Sequence, residues 1–338
     1  YMTTTALAIA LAVTVASIVQ PGVGVDLAMA SEFVAKEAPP LKTTIINMFP
    51  SNPIQSMAQG SILQVIVFSL LMGFAISKSG ETGQRVGGVF SALNEVIMKM
   101  VMILMNLAPY GIFCLLAKLF AGLGIGVILS LAKYFFTVVF VLLLHSFGVY
   151  SLIFKTVTGL SVRRFLSKMR PALMFAFSTA SSGATMPVTL RTVEHRMGVN
   201  NSVASFTVPL GATINMDGTA IMQGIATVFI AQAYGLDLAM SEYLAVVATA
   251  TLASIGTAGV PGVGLITLAM VLQQVGLPVE GIGLIIGVDR LLDMMRTVVN
   301  VSGDGMVTAV VADSEGLLDR DMFNDLSDQD DHQKANAS

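Results

Sequence analysis

The stretch Gly211-Ala-Thr-Ile-Asn-Met-Asp-Gly-Thr219 places a carboxylate, Asp217, and an amide, Asn215, inside a long apolar segment. Charges within membrane-length segments are costly and usually mark a substrate or ion pathway. Non-helical backbone at membrane depth is tolerated only where protein or a water-filled cavity surrounds it. The stretch therefore predicts an all-α, multi-span membrane protein with a broken helix that carries a buried polar site.

Composition supports the membrane class. Of the 338 residues, 54% are hydrophobic and only 12% are charged, against about 25% charged in soluble domains. The net charge of −3 argues against a nucleic-acid partner, and Cys114 is the single cysteine, so an intrachain disulfide is excluded. The histidines His145, His195 and His332 are scattered and are interpreted as incidental. With no P-loop and no catalytic or metal cluster, neither an enzyme nor an ATP-driven pump is indicated.

Apolar segments separated by polar turns predict the order of the helices. The chain starts at Tyr1 inside such a segment, and the simplest account is a chain cut within a helix. From residue 313 the sequence is acidic and lacks apolar periodicity, which predicts a disordered tail over 313–338. The predicted helical segments are 1–19, 58–79, 86–120, 123–155, 171–193, 201–233, 240–276 and 281–312.

Two of these segments are interrupted in the middle. The first breaks at Ser181-Ser182-Gly183 and the second at 256–262, and each half is too short to span a bilayer. We expect two re-entrant helical hairpins, related as inverted repeats. A helix N-terminus at such a tip presents free N–H groups that suit a carboxylate. The alternative is a packing motif of small residues, which is common between membrane helices.

The last segment carries a polar stripe with intervals of 4, 3, 4 and 4 residues, which places its members on one helical face. Its members are Asp289, Asp293, Arg296, Asn300 and Asp304. The fork of Arg296 suits a carboxylate, and Asp293 suits an ammonium group, so the pair matches an acidic amino acid. The alternative is an internal ion network in which Asp289 pairs with Arg296.

Asp217 has no lysine or arginine near it in sequence. Its neighbours Thr213, Asn215 and Thr219 supply oxygen atoms, which hard cations prefer. This pattern predicts a coupling-ion site. The alternative is a structural aspartate that caps a broken helix.

Taken together, these motifs resemble the glutamate/aspartate:cation symporters, which include the excitatory amino acid transporters. The motifs are the segment 215–219, the serine-rich first tip, the second tip at 256–262, and Asp293-Met-Met-Arg-Thr-Val-Val-Asn300, and the resemblance runs from Tyr1 to about Glu315. The resemblance implies eight spans, two hairpins, a homotrimer and an elevator mechanism. The two N-terminal spans would be absent, and residues 1–22 would be the third span.

The resemblance also implies a division of the chain. Residues 1–22 would belong to the moving transport domain, 23–155 would form scaffold-type spans and the span leading to the core, and 156–312 would form the transport core. The residues implied to contact substrate are Ser181, Ser182, Thr219, Val260, Gly264, Asp293, Arg296, Thr297 and Asn300. Those implied to hold sodium are Gly211, Asn215, Asn300 and Asp304 at one site, Thr213, Met216, Ser254, Ile255 and Thr257 at a second, and Tyr1, Thr4, Thr5, Asn215 and Asp217 at a third.

The chain departs from the family pattern at three positions. The family carries a second arginine either at the first tip, where Ala180 stands, or in the last span, where Met294 stands. Arg290, on the same predicted helix, is a candidate to replace part of the role of that second arginine. Gln223 stands where proton-coupled animal members have a glutamate, which favours sodium over protons.

The sequence is thus interpreted as a sodium-driven symporter for L-aspartate or L-glutamate in the plasma membrane of a bacterium or archaeon. Its partners would be the acidic substrate, sodium, the bilayer and two further copies of the chain, with no cofactor besides the coupling ions. The alternative is a proton-coupled dicarboxylate or glutamate carrier, against which Asp293 argues because a dicarboxylate has no amine. A ligand-gated channel or a receptor-like binder stays open as a further alternative: the closed tips of the hairpins favour a carrier, but members of the family that the chain resembles can also conduct anions. A purely structural membrane protein would have no need for five polar residues on one buried face.

Overall fold

The computed structural model describes residues 1–25, 49–59, 62–105, 110, 125–254 and 259–325. Within these ranges the protein is helical and has no strand, only an isolated bridge between Val199 and Leu318. The predicted all-helical class is confirmed for this part of the chain. The helices are α1 (Met2–Val19), α2 (Pro53–Ala58), α3 (Ile62–Lys78), α4 (Gly80–Met105), α5 (Ile125–Leu143), a π-helix (Leu144–Tyr150), α6 (Ser151–Thr158), α7 (Val162–Thr179), α8 (Ser182–His195), α9 (Asn201–Ile214), α10 (Asp217–Ala233), α11 (Met240–Ser254), α12 (Val263–Gln274), a short 3-10 turn (Val279–Gly281), α13 (Ile282–Ser314) and α14 (Arg320–Asn324).

Helix α13 lies at the centre of the described structure. It is 33 residues long and packs against α5, α7, α8, α9, α10 and α12. All five members of its polar stripe are buried, as the one-face spacing predicts. A buried charged stripe requires partners from the surrounding helices, so the helices that pack on α13 determine what the stripe can bind.

Helices α1 and α10 form a second closely packed pair. Nearly every residue of α10 is buried, and Gly224 of α10 lies against α1, where an added Cβ would meet Ala12 and Val13 at 3.2 and 3.3 Å. Small residues allow such close helix approach. This packing brings the N-terminus of α1 beside the break between α9 and α10.

Two pairs of consecutive helices, α7 with α8 and α11 with α12, occupy the predicted hairpin positions. Helices α7 and α8 pack together and are joined by only two residues. Ala180 ends α7 in the left-handed region with φ 50°, and the Ser181 side chain then caps α8 by accepting from the Ala184 N–H at 3.1 Å. Re-entry from one side of a membrane and an inverted-repeat relationship remain predictions.

Two helical stretches of the described residues are long and apolar enough to cross a membrane. They are Met2–Val19 and Leu129–Thr158. Large apolar side chains are also exposed along α3, α4 and α5, among them Leu70, Phe74 and Phe136.

The predicted disordered tail is wrong for residues 313–325. Helix α13 continues to Ser314, Leu318 pairs with Val199, and Asp319 caps α14 by accepting from two backbone N–H groups. Phe323 is fully buried, with its ring 6.0 Å from that of Phe154. A few apolar anchors and a cap order this acidic segment, although it has no periodic pattern. The remainder of the predicted tail, 326–338, lies outside the described residues.

Candidate functional site

The break between α9 and α10 is the start of the site. Asn215 and Met216 have non-helical backbone angles and are buried, and Asp217 begins α10. The Gly218 N–H donates to the Asn300 side-chain oxygen at 2.8 Å. A Cβ at Gly218 would lie 2.8 Å from the Cα of Arg296, so a glycine is required for α10 to approach α13 this closely. The break therefore lies directly against the polar stripe.

Asn215 and Asp304 form the first group of oxygen atoms. The Asn215 Nδ2 donates to the Asn300 carbonyl and to Asp304 Oδ1, both at 2.9 Å. The Asn215 Oδ1 is buried and accepts no hydrogen bond from any described residue. A Cβ at Gly211 would meet the Tyr1 hydroxyl at 2.7 Å and the Asp304 Cγ at 2.9 Å, so the Gly211 backbone lies beside this group.

Asp217 is the centre of a second group. Its Oδ1 accepts from the Thr5 hydroxyl, and the hydroxyls of Thr4 and Thr5 also lie 2.7 and 3.1 Å from the Tyr1 carbonyl oxygen. The structure thus brings together Tyr1, Thr4, Thr5 and Asp217, four members of one implied sodium site. No lysine or arginine among the described residues forms an ion pair with Asp217 or Asp304. Two buried carboxylates that no lysine or arginine of the described residues pairs with match the oxygen-rich sets that hard cations prefer.

Two further contacts to Asp217 were not anticipated from the sequence. The Tyr150 hydroxyl donates to Asp217 Oδ2 at 2.7 Å, and the His145 Nε2 lies 3.2 Å from the same oxygen. Both side chains are buried, so the interpretation of His145 as incidental is wrong. The only sequence signal was a histidine followed five residues later by a tyrosine within an apolar segment.

Arg296 is the centre of an ion network on α13. It is fully buried and donates to Asp289 at 2.6 Å through Nη1 and to Asp293 at 2.9 Å through Nη2. Its Nε has no partner among the described residues. The contact between Asp289 and Arg296 is the ion pair that the sequence left open as an alternative. The Nε–H of the guanidinium is therefore available for a further acceptor.

The first tip contacts the segment that precedes α12. The Ser181 hydroxyl and the Gly183 N–H both donate to the Gly259 carbonyl, at 2.5 and 3.0 Å. The Gly262 N–H donates to Asp293 Oδ2 at 2.9 Å. Asp293 therefore links Arg296 to the second helix pair.

The other implied substrate contacts lie around Arg296. A Cβ at Gly264 would meet the Thr219 methyl group at 3.1 Å and the Arg296 Nη2 at 3.3 Å, so these three residues are neighbours. The Thr297 hydroxyl donates to its own helix, to the Asp293 carbonyl at 2.8 Å. Ser182 is buried at the first position of α8, and Val260 is half-buried.

The implied second sodium set is only partly assembled by the described residues. Thr213 is exposed and its hydroxyl bonds to carbonyls of its own helix, whereas Ser254 is buried and lies 3.5 Å from the Ile214 carbonyl. The Met216 sulfur lies 3.3 Å from the Asn300 Nδ2. The remaining implied members, Ile255 and Thr257, lie outside the described residues.

The departures from the family pattern have distinct environments. Ala180 is buried at the first tip, and Met294 is half-buried on α13. Arg290 is exposed and Arg296 is fully buried. The Gln223 amide donates to the Thr267 hydroxyl at 2.6 Å, which ties α10 to α12 through neutral groups.

Comparison with known proteins identifies the family. Residues 1–314 match the family described as "Sodium:dicarboxylate symporter family". The proton/glutamate-aspartate symporter of Escherichia coli K12 is 36% identical over 328 residues, covering 94% of this chain and 75% of the relative. The proton/sodium-glutamate symport protein of Bacillus subtilis 168 is 33% identical over 323 residues, covering 93% and 75%. Human excitatory amino acid transporter 3 is 44% identical over 252 residues, covering 74% of this chain and 48% of the relative.

The chain thus spans three-quarters of the length of the two bacterial relatives and about half of the human one. All three relatives are named as transporters and not as enzymes. The family indicated by the sequence motifs is confirmed. The chain that carries the Asp217 and Asp304 oxygen groups and the Arg296 network therefore belongs to the sodium:dicarboxylate symporter family.

Proposed function

We propose that the protein is a secondary active symporter that carries L-aspartate or L-glutamate together with sodium. The single observation that carries this proposal is the separation of two buried groups along α13. Arg296 supplies a fully buried cation whose Nε has no partner among the described residues. Asp304 lies with Asn215 in an oxygen group that no lysine or arginine among the described residues neutralises. One group suits an anionic substrate and the other a small cation.

The substrate end is proposed around Arg296. A carboxylate of the substrate would accept from the guanidinium, and the amine would contact Asp293, which already bridges Arg296 and Gly262. The remaining implied substrate contacts, such as Thr219 and Gly264, are neighbours of Arg296. An amine bound at Asp293 would compete with the Gly262 N–H for the carboxylate of Asp293. Substrate binding would therefore change how α11 and α12 contact α13.

The cation end is proposed around Asn215, Asp217 and Asp304. The Tyr1 carbonyl, the hydroxyls of α1 and the Asn215 Oδ1, which has no partner among the described residues, supply neutral oxygens beside the two carboxylates. Sodium would offset their buried charge and order the break between α9 and α10. Because the same break contacts Asn300 and the backbone of Arg296, ion and substrate binding would reinforce each other, and such coupling is reciprocal.

The wider assembly is proposed from the family. Members would act as homotrimers in the plasma membrane, with 1–22 and 156–312 moving as a transport domain against scaffold spans within 23–155. The two helical stretches of span length and the exposed apolar side chains of α3 to α5 support a membrane location.

The second candidate is a proton-coupled carrier of glutamate or a dicarboxylate. The name of the Escherichia coli relative favours it. Gln223 stands where proton-coupled animal members have a glutamate, and its amide forms a hydrogen bond with the Thr267 hydroxyl. An amide does not take up and release a proton as a carboxylate does, so this residue favours sodium as the coupling ion.

Uptake of labelled L-aspartate into liposomes tests both candidates. The purified protein would face an inward sodium gradient in one arm and an inward proton gradient without sodium in the other, with succinate as competitor. Uptake that needs sodium and is insensitive to succinate is expected. Uptake driven by protons alone would overturn the proposed coupling ion, and competition by succinate would overturn the role of Asp293 in selecting an amine.

A further inference from the structure

The π-helix Leu144–Tyr150 supplies two polar contacts to Asp217 that neither the motifs nor the family resemblance assigned. Tyr150 and His145 both contact Asp217 Oδ2, and they lie 67 and 72 residues away from Asp217 along the chain. All three residues are almost completely buried. The opposite carboxylate oxygen, Oδ1, faces Thr5 of α1. The carboxylate is thus held from two sides by different helices.

The π-helical geometry explains why both side chains reach the same oxygen. In an α-helix, residues five apart point about 140° away from each other. The wider turns of a π-helix, with hydrogen bonds between residues five apart, bring such residues closer to one face of the helix. Short π-helical segments occur frequently at functional sites. The rings of His145 and Tyr150 are stacked edge to face with centroids 4.5 Å apart. The π-helical turn therefore allows both side chains to contact the same oxygen of Asp217.

The Tyr150 hydroxyl also lies against the Asn215 group. A Cβ at Gly303 would lie 2.6 Å from the Asn215 Nδ2 and 2.9 Å from the Tyr150 Cζ, so a side chain at this position would displace both. Asn215 in turn donates to Asp304. Tyr150 therefore contacts one of the two carboxylates proposed to hold cations and lies near Asn215, which donates to the other.

We propose that Tyr150, supported by His145, is a positioning residue that fixes the Asp217 carboxylate for cation binding. This inference rests on the proposed function. It assigns Tyr150 and His145 of the π-helix to the support of the sodium ligand Asp217. Because a carboxylate only accepts hydrogen bonds, two donors on Oδ2 restrict its rotation and direct Oδ1 toward the Thr5 hydroxyl and the Tyr1 carbonyl. A cation bound there would meet a pre-oriented ligand without displacing Tyr150.

The test is a sodium titration of thermal unfolding, with the purified full chain in detergent and without substrate. Sodium chloride replaces choline chloride at constant ionic strength, and the midpoint of stabilisation is measured. Tyr150→Phe keeps the ring and removes the donor to a charged acceptor, so its sodium midpoint should rise about tenfold. Tyr134→Phe is the matched control, because the Tyr134 hydroxyl is buried on the adjoining α5 and has no partner among the described residues. Its midpoint should equal that of the wild type.

A second pair of variants separates positioning from general stability. His145→Leu removes the second donor and should raise the sodium midpoint, whereas His145→Gln retains an N–H donor and should restore it toward the wild-type value. A drop in unfolding temperature without sodium, with an unchanged sodium midpoint in Tyr150→Phe, would reduce Tyr150 to a packing role and overturn the inference. A wild-type protein that sodium does not stabilise would overturn the proposed sodium coupling itself.

Discussion

Arg296 donates to Asp289 at 2.6 Å from a position seven residues later on the same helix. Seven residues make about two helical turns, so the two side chains extend along one face of α13. The pair is buried and the guanidinium also holds Asp293. Asp289 therefore restrains the guanidinium from one side and leaves its other side for Asp293 and the proposed substrate.

Replacing Asp289 with Asn should destabilise the protein. The change replaces a carboxylate that accepts from the buried guanidinium with a neutral amide, while Asp293 still pairs with Arg296. Loss of such a charge-assisted hydrogen bond costs about 1.5–3 kcal/mol. The unfolding temperature should fall, and KM for aspartate should rise because the guanidinium loses a restraint. Glu95→Gln is the control, since Glu95 and its partner Lys99 are both largely exposed and such a pair contributes less than about 1 kcal/mol. Equal stability of Asp289→Asn and wild type would contradict the prediction.

Replacing Arg296 with Cys should abolish uptake of acidic substrates. The substitution removes the cation proposed to read the substrate carboxylate, and neutral amino acids should gain access to the site. Competition experiments with labelled aspartate and unlabelled neutral amino acids measure both effects. Unchanged aspartate uptake by this variant would reject the assignment of Arg296.

Replacing Asp217 with Asn should weaken the sodium dependence of aspartate uptake. The change preserves the shape of the side chain but removes the charge that sodium is proposed to offset. The sodium concentration for half-maximal uptake should rise at least tenfold, which corresponds to about 1.4 kcal/mol. Asp237→Asn, at an exposed aspartate after α10, should leave the titration unaltered. A normal sodium titration in Asp217→Asn would count against the proposed site.

Replacing Gly218 with Ala should disrupt the contact between α10 and α13. The added Cβ would lie 2.8 and 2.9 Å from backbone atoms of Arg296, which cannot move as a flexible side chain would. Overpacking of this kind costs about 1–3 kcal/mol. Gly283→Ala on α13 is the matched control, because an added Cβ there meets no atom within 4 Å. Thermal unfolding of the two variants should separate them clearly, with Gly283→Ala at least as stable as wild type.

Replacing Phe323 with Ala should destabilise the segment that follows α13. The Phe323 ring is fully buried near Phe154, and truncation of a buried phenylalanine costs about 3–5 kcal/mol. Leu317→Ala, in the same segment, removes a side chain that is 39% exposed and should cost much less. Thermal unfolding measures the difference, and an equal effect of both substitutions would argue that α14 does not pack firmly on the core.

Much of the fold could be predicted from the sequence, because helical periodicity and helix breaks are local properties. The break at Asn215 and Met216, the interruption at Ala180 and Ser181, and the buried stripe of α13 all follow from residue type and spacing. The segment 313–325 could not be predicted in this way. Its order depends on Leu318 and Phe323 finding partners far away along the chain.

The candidate site likewise has features that follow from local sequence and others that depend on helix packing. Sequence by itself determined which helix faces carry charge, that Arg296, Asp293 and Asp289 share a face, and that Asp217 stands at a broken helix. Only the tertiary structure decided that Tyr150 and His145 meet Asp217, that Gly259 accepts from the first tip, and that Asp293 also holds Gly262. These contacts join residues from separate helices, and a hydrogen bond between them depends on helix packing, which no local pattern of residues specifies.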